Sequence, residues 1–155
     1  MGSPKVLIAG AGPVGLTLAN ELVRHGISVR IIDKNTGRTD KSKALVLWSR
    51  TLELFDDAGY AKDFMPAGMR AAGARISNGT ETVAQITFDS IDSRFPYALM
   101  IPQSESERVL EEKLEAAGVK VERRTELTGF KDTGTGIEAT LKKPDGSTET
   151  VSAGW

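Results

Sequence analysis

The stretch VLIAGAGPVGLTLANELVRHGISVRIIDK, residues 6–34, sets three glycines at G-x-G-x-x-G spacing between two short apolar runs and ends on an acid and a lysine. The apolar runs 6–9 and 27–32 predict β-strands. Between them, residues 14–24 carry apolar side chains at helical spacing, and Gly26 follows as a predicted C-terminal cap. Strand, helix and strand within about 30 residues predict a βαβ unit, with parallel strands and a right-handed crossover.

Each glycine of the motif meets a different steric demand. Gly10 permits a sharp turn out of the strand, Gly12 a close approach of a pyrophosphate to the backbone, and Gly15 tight packing of helix on strand. The predicted helix begins near Pro13 and Val14, so its free N–H groups and positive dipole end point toward that pyrophosphate. The motif in this setting predicts dinucleotide binding.

Asp33 ends the second predicted strand, where a carboxylate can accept hydrogen bonds from the adenosine ribose hydroxyls. The same charge repels a 2′-phosphate, which argues against NADP at this site. The motif does not separate NAD from FAD, because both present the same ADP half. Two alternatives stay open: a non-catalytic module that binds NAD or ADP, and a βαβ unit whose glycines serve only packing.

Composition limits the classes of partner. The 155 residues suit about one domain, and 20 Lys and Arg against 21 Asp and Glu give a net charge of −1, which favours a small-molecule ligand over nucleic acid or an acidic membrane. The chain has no cysteine and one histidine, so we expect no disulfide, thiolate site or metal centre. The first apolar run is too short for a signal peptide or membrane span, and we expect a soluble, cytoplasmic protein.

The later chain alternates predicted helices and strands. One short helix is predicted at 51–58, and a second opens on a capping box formed by Ser104 and Glu107. The predicted buried stripe of this second helix is Leu110, Leu114 and Ala117. A hairpin is predicted at 75–88 with its turn at Asn78 and Gly79, a strand at 97–101, and three more strands in 119–130, 136–143 and 148–155, the last after a turn at 144–146. The fold class predicted is α/β, a Rossmann-like parallel sheet plus an antiparallel β-meander.

Three segments, in this order and spacing, resemble flavin-dependent aromatic hydroxylases of the para-hydroxybenzoate hydroxylase type. They are AGAGPVGLTLANELVRHGISVRIIDK, SKALVLWSRTLELFDDAG and RFPYALMIPQSESERVLEEKLEAAGVKVERRTEL. Many FAD and NAD proteins share the first motif, whereas SRTLELF and FPYALMIPQSESERVL are more particular to these hydroxylases. The chain is most similar to the enzymes that oxygenate phenols and aromatic polyketides.

The resemblance implies roles for individual residues. The pyrophosphate of FAD would lie on the glycine loop, Gly10, Gly12, Pro13, Val14 and Gly15. Asp33 would hold the ribose and Lys34 would lie beside the adenosine. Lys43 stands where these enzymes commonly place an arginine near the phosphates and flavin; it keeps the charge but not the bidentate fork.

The implied contacts of the flavin half are fewer. Gln103 matches a glutamine placed against the flavin or its ribityl chain. Arg50 is either a further contact or a solvent-facing residue at the start of a helix. The resemblance assigns no catalytic residue and no metal ligand to this chain.

Members of this family use FAD, NADPH and oxygen to hydroxylate an aromatic ring. Their later Asp-Gly and Gly-Asp motifs and their substrate-binding sheet do not occur in residues 1–155. We therefore expect an amino-terminal FAD-binding fragment, an incomplete domain that binds at most the ADP half of FAD and does not turn over alone.

By analogy with the family, the parallel strands should lie in the order 119–121, 27–32, Val6–Ala9. The strand Val6–Ala9 would then have an open edge, which predicts a homodimer or a segment swap through that edge.

Overall fold

A computed structural model describes residues 4–38 and 44–155. The helices are α1 (Pro13–Arg24), α2 (Ser49–Asp57), α3 (Ala61–Phe64) and α4 (Gln103–Ala116), with a 3₁₀ turn at Met65–Ala67. The strands are β1 (Val6–Ala9), β2 (Val29–Asp33), β3 (Val46–Leu47), β4 (Met69–Ala71), β5 (Gly73–Ser77), β6 (Thr82–Thr87), β7 (Ala98–Met100), β8 (Glu122–Arg123), β9 (Glu126–Asp132), β10 (Ile137–Lys142) and β11 (Thr148–Ala153). The described residues form two compact units, 4–38 with 107–155, and 44–106. None of these described helices is long and apolar enough to cross a membrane.

The first unit contains the parallel sheet that the sequence predicts. Its order is β1-β2-β8, and both pairings are parallel. The predicted βαβ unit and strand order are confirmed. The third strand, however, is Glu122–Arg123 and not residues 119–121. Val119 lies at the end of α4 instead, because its N–H donates to the carbonyl of Leu114.

One face of this sheet is covered by α1 and by the part of α4 in this unit. Ile8 and Ile31 are register partners and are both buried, and Ile8 lies below α1, close to Gly15. Asn20 of α1 ties the two helices together, because its side-chain amide donates to the carbonyls of Leu16 and Leu110, each at 2.9 Å.

An antiparallel meander packs on the opposite face of the sheet. Its strand order is β11-β10-β9, and its buried residues pack on Ile32. The predicted turn at 144–146 is confirmed, with Gly146 at φ 83°. Residues 119–130, predicted as one strand, form two: β8 in the parallel sheet and β9 in the meander, separated by Arg124 in a left-handed conformation.

The outer edge of β1 differs from the expectation. β1 is the outer strand of its sheet, as predicted. Its edge is not fully open, because the last residue of the chain pairs beside it. The N–H of Trp155 donates to the carbonyl of Lys5 at 3.0 Å, and the N–H of Leu7 donates to the carbonyl of Trp155 at 2.8 Å. The expectation of an open edge is therefore wrong for residues 5–7, while Ala9 at the end of the strand is exposed.

The second unit is built around the antiparallel sheet β3-β7-β4. Phe55 of α2 and Phe64 of α3 stack with ring centroids 4.8 Å apart, and Tyr60 packs against both. The predicted hairpin is confirmed as β5 and β6, and its turn is closed by the Asn78 carboxamide oxygen, which accepts the N–H of Thr80 and of Glu81. The hairpin exposes three large apolar side chains, Ile76, Val83 and Ile86.

The predicted start of the long helix is wrong by a short distance. α4 begins at Gln103, and the carbonyl of Pro102 accepts the N–H of Glu105 and of Ser106. Ser104 is therefore inside the first turn and does not cap the helix, so the predicted capping box does not form. Leu110 and Leu114 are buried as predicted. Ala117 lies beyond the last helical residue and is exposed, which corrects the predicted stripe.

Candidate functional site

The loop between β1 and α1 is held by two glycines for reasons internal to the chain. Gly10 has φ +112°, a conformation that side chains rarely adopt, and its N–H donates to the carbonyl of Ile32 at 2.8 Å. A Cβ at Gly15 would collide with the carbonyl oxygen of Gly10. Gly10 allows the turn, and Gly15 lets the helix approach it.

Gly12 has no such internal requirement. Its φ of −81° and ψ of −175° are ordinary extended values, and a Cβ built on it would meet nothing within 4 Å. The described protein therefore leaves an open space against this backbone. A ligand that lies on the loop would fill that space, and a side chain at position 12 would compete with it.

The amino terminus of α1 opens onto the same space. Gly12 is the N-cap, no side chain accepts a hydrogen bond there, and the first turn contains no acidic residue. Pro13 is the first helical residue, as predicted, and Val14 after it is 83% exposed. The helix end thus carries its positive dipole and uncapped N–H groups without an anion supplied by its own first turn.

Asp33 lies at the end of β2 and is 8% exposed. Its Oδ2 accepts the N–H of Ala11 at 2.7 Å, and its Oδ1 accepts the N–H of Asn35 at 2.7 Å. The predicted ribose ligand therefore also fastens the glycine loop to β2. Each carboxylate oxygen keeps acceptor capacity for one further donor. Sequence patterns do not predict the Ala11 contact, which joins residues 22 positions apart.

A cavity of about 330 Å³ lies at the carboxyl ends of β1 and β2, beside the start of β9. It is lined by Ala9, Gly10, Ile32, Asp33, Lys34, Asn35, Thr125, Glu126 and Leu127. The structure thus brings Lys34 and Asp33 together with the first glycine of the motif, as expected. Residues 125–127 of this lining were not predicted from the sequence. The rule that ligands bind outside the carboxyl ends of parallel strands would have pointed to the chain that follows β8.

Two of the other predicted residues, Gln103 and Arg50, belong to the second unit. Gln103 is the first residue of α4, is half-buried, and belongs to the second unit. Arg50 is exposed and pairs with Glu53 one turn along α2, at 3.0 Å, which is the solvent-facing alternative. Lys43 is outside the described residues.

The glycine loop, the helix terminus and the cavity form one continuous set in the first unit. Their chemistry suits an anionic group at the loop with a hydroxyl-bearing sugar beside Asp33 and a flat ring system in the cavity. A dinucleotide has these three parts in this order. The site therefore fits the ADP half of FAD or NAD.

Known proteins resemble this chain over nearly its whole length. A family model described as an FAD binding domain matches residues 3–155. The chain is 35% identical to the pentachlorophenol 4-monooxygenase of Sphingobium chlorophenolicum, over 97% of this chain and 28% of that protein. It is 36% identical to the 6-methylpretetramide 4-monooxygenase of Streptomyces rimosus, over 98% of this chain and 28% of that protein.

A solved structure gives the same result. The complex of aklavinone-11 hydroxylase with FAD and aklavinone matches with a TM-score of 0.85 and 25% identity, over 98% of this chain and 32% of that one. The chain spans about 28% of the length of the two curated relatives above.

Proposed function

Because this chain belongs to the FAD-binding domain family of the flavin-dependent aromatic hydroxylases, we propose that its glycine loop holds the pyrophosphate of FAD. Gly12 carries this proposal: it leaves open space where neither its backbone angles nor its neighbours require a glycine. The pyrophosphate would rest there and accept N–H groups from the first turn of α1, near Pro13 and Val14.

The adenosine would occupy the neighbouring cavity. Asp33 would accept a ribose hydroxyl with the lone pairs that the two backbone N–H groups leave free. Lys34 lines the same cavity and would lie beside the adenosine. For the flavin half we propose Lys43 and Gln103, which rest on the family resemblance alone.

Bound FAD supplies the electron transfer with which this family oxygenates aromatic rings. From the family resemblance we infer that the complete protein uses NADPH as reductant. We also infer a phenolic or polyketide substrate, because the two relatives are named as monooxygenases of pentachlorophenol and of 6-methylpretetramide. We further infer that residues 1–155 are an amino-terminal fragment of the FAD-binding domain of that protein and are inactive alone, since the chain spans 28% of each of these relatives. We also propose that the protein acts in the cytoplasm.

The binding proposal is tested with Gly12→Ser, measured by titration calorimetry with ADP and with FAD. Serine adopts the extended N-cap conformation readily, and its hydroxyl would accept the N–H groups that the pyrophosphate needs. We expect at least about tenfold weaker binding, the loss of one charge-assisted hydrogen bond, with an unchanged or higher melting temperature.

Gly15→Ala is the matched comparison for stability, because packing inside the chain requires this glycine. Its Cβ meets the carbonyl of Gly10, so we expect it to lower the free energy of unfolding by about 1–3 kcal/mol. Equal nucleotide affinity for the natural chain and Gly12→Ser would contradict the proposal. Lack of turnover is checked with FAD, NADPH and phenols, where substrate-dependent NADPH loss with oxygenated product would show that the chain is active alone.

A further inference from the structure

We propose that Arg123 is a positioning residue for the nucleotide site: it holds the Asp33 carboxylate in the orientation that fixes the glycine loop and faces the ribose. The inference rests on the proposed function and adds a residue that the sequence motif does not contain. Arg123 does not itself line the cavity, but two lining residues contact it: its carbonyl accepts the Thr125 hydroxyl, and its guanidinium lies beside Asp33. The charge of Arg123 would act on the site through Asp33.

The sheet register brings the two residues together. Asp33 ends β2 and Arg123 ends β8, and they are direct partners across the parallel pair. Side chains of partnered residues lie on the same face of a sheet. The guanidinium Nη1 lies 3.9 Å from Asp33 Oδ2, the oxygen that accepts the N–H of Ala11 at 2.7 Å.

The charges around this carboxylate give Arg123 its role. The side chains of Asp33 and Arg123 are 10% and 18% exposed, so little water screens them. Arg123 Nη2 also donates to Glu111 Oε1 of α4 at 2.7 Å, and Glu111 takes a second cation, Arg38, at 3.3 Å. In the described chain, Arg123 is the cation within 4 Å of Asp33.

These contacts form a connected series from α4 to the loop. Glu111 anchors the guanidinium, the guanidinium attracts Asp33, and Asp33 holds Ala11 between Gly10 and Gly12. Without the guanidinium, Asp33 would lose its close counter-charge among the described residues, and its hydrogen bond from the Ala11 N–H would lengthen. The loop would then sample orientations in which its N–H groups no longer converge on one anion.

The test uses the 155-residue chain and four variants: Arg123→Gln, Arg123→Lys, Asp33→Asn and the double variant Arg123→Gln/Asp33→Asn. Calorimetry with ADP should show about tenfold weaker binding for Arg123→Gln and partial rescue for Arg123→Lys, which keeps the charge. If Arg123 acts through Asp33, the double variant should bind no more weakly than Asp33→Asn. A fifth variant, Arg30→Gln, is the control: it removes ion pairs to Glu122 and Glu149 on the opposite face of the same sheet and should bind ADP within about twofold of the natural chain.

A second readout needs no nucleotide. In the free protein, the Ala11 amide proton donates to a carboxylate, and its NMR resonance should move upfield in Arg123→Gln but not in Arg30→Gln. If Arg123 formed only a structural ion pair, Arg123→Gln would lower the melting temperature, as Arg30→Gln does, and leave this resonance in place.

The outcomes separate the two proposals. Additive losses in the double variant, or an unmoved Ala11 resonance in a folded Arg123→Gln, would overturn the role of Arg123. If Arg123→Gln fails to fold, Arg123→Lys replaces it. A smaller loss of ADP affinity with a smaller upfield shift of the Ala11 resonance supports the role of Arg123, and natural affinity with an unmoved resonance overturns it. Failure of the natural chain to bind ADP or FAD would overturn the proposed function, and with it the role of Arg123 at a nucleotide site.

Discussion

Arg124 is the described non-glycine residue with a positive φ, at 55°. It lies where the chain leaves β8 and enters β9, and its N–H donates to the carbonyl of Asn35 at 3.1 Å. The next N–H, of Thr125, donates to the carbonyl of Asp33 at 3.0 Å. Arg124 turns the chain out of the parallel sheet and toward the meander. Its left-handed conformation is unfavourable, because it brings the Cβ close to the following carbonyl oxygen.

We therefore expect Arg124→Gly to stabilise the chain. Glycine removes a left-handed penalty of about 1–2 kcal/mol and returns part of that gain through greater freedom of the unfolded chain. The expected net rise in the free energy of unfolding is about 0.5 kcal/mol, measured by urea denaturation. Arg124→Ala keeps the penalty and removes the charge, so it should give no rise. Equal gains from both variants would show that the charge, and not the backbone angle, is responsible.

The motif glycines show which local features the sequence pattern predicts. Spacing alone predicted the turn at Gly10 and the close helix at Gly15, and both have internal steric causes. It could not predict that Asp33 holds Ala11, because that contact depends on the loop already being folded over the end of β2.

Among the elements, β2 is joined to the meander by a group of charged side chains. Arg30 of β2 forms paired hydrogen bonds with Glu122 of β8 and with Glu149 of β11, at 2.7–2.8 Å. Lys143 lies 3.2 Å from Glu122 and 3.4 Å from Glu149. The Arg30 guanidinium lowers the pKa of Glu149 from its ordinary value of 4.5 to about 2, and also lowers the pKa of Glu122. The group connects the parallel sheet to the antiparallel one.

This network predicts a pH dependence with a definite sign. Glu149 has a depressed pKa in the folded chain, so its stabilisation is present above pH 4.5 and is lost as the pH falls toward 2. Its side chain is 38% exposed, and solvent screening limits the effect to about 1 kcal/mol. Glu149→Gln should therefore lower the free energy of unfolding by about 1 kcal/mol at pH 7 and by almost nothing at pH 2.

Urea denaturation at several pH values measures this difference. Glu138→Gln on neighbouring β10 is the control, since Glu138 is exposed and has no ion pair among the described residues. It should change stability little at either pH. A deficit of Glu149→Gln that stays constant from pH 7 to pH 2 would mean that packing, and not charge, explains the loss.

Element types were predictable from apolar spacing, whereas some boundaries were not. The spacing of Leu110 and Leu114 predicted the second long helix correctly. Its start was predicted wrongly, because the first carbonyl to accept helical N–H groups is that of Pro102, two residues before Ser104. Residues 119–130 divide into β8 and β9 at Arg124, which has a left-handed backbone conformation. An arginine in the sequence does not predict that conformation.

On the scale of the whole molecule, a family resemblance and a βαβ pattern were enough for the fold class. Only part of the cavity lining was predictable from the sequence. Residues 125–127 were not, because they reach the cavity through the order of the strands, which local sequence patterns do not contain. The outer edge of β1 was predicted open, but Trp155 pairs with its first half. Self-association through β1 therefore depends on what remains of the edge.

The remaining edge predicts weak, concentration-dependent self-association. Lys5 and Leu7 direct their outward backbone groups to Trp155, and Ala9, two residues further on the same edge, is exposed. An exposed strand edge pairs readily with another chain, and a charge on the edge opposes this. Sedimentation velocity should show a dimer that grows with concentration and is reduced by Ala9→Lys. Val83→Lys is the control. It places the same charge on the exposed β5–β6 hairpin and should leave the dimer unchanged. If Val83→Lys abolishes association and Ala9→Lys does not, the hairpin and not β1 carries the contact; a monomer at all concentrations would exclude both.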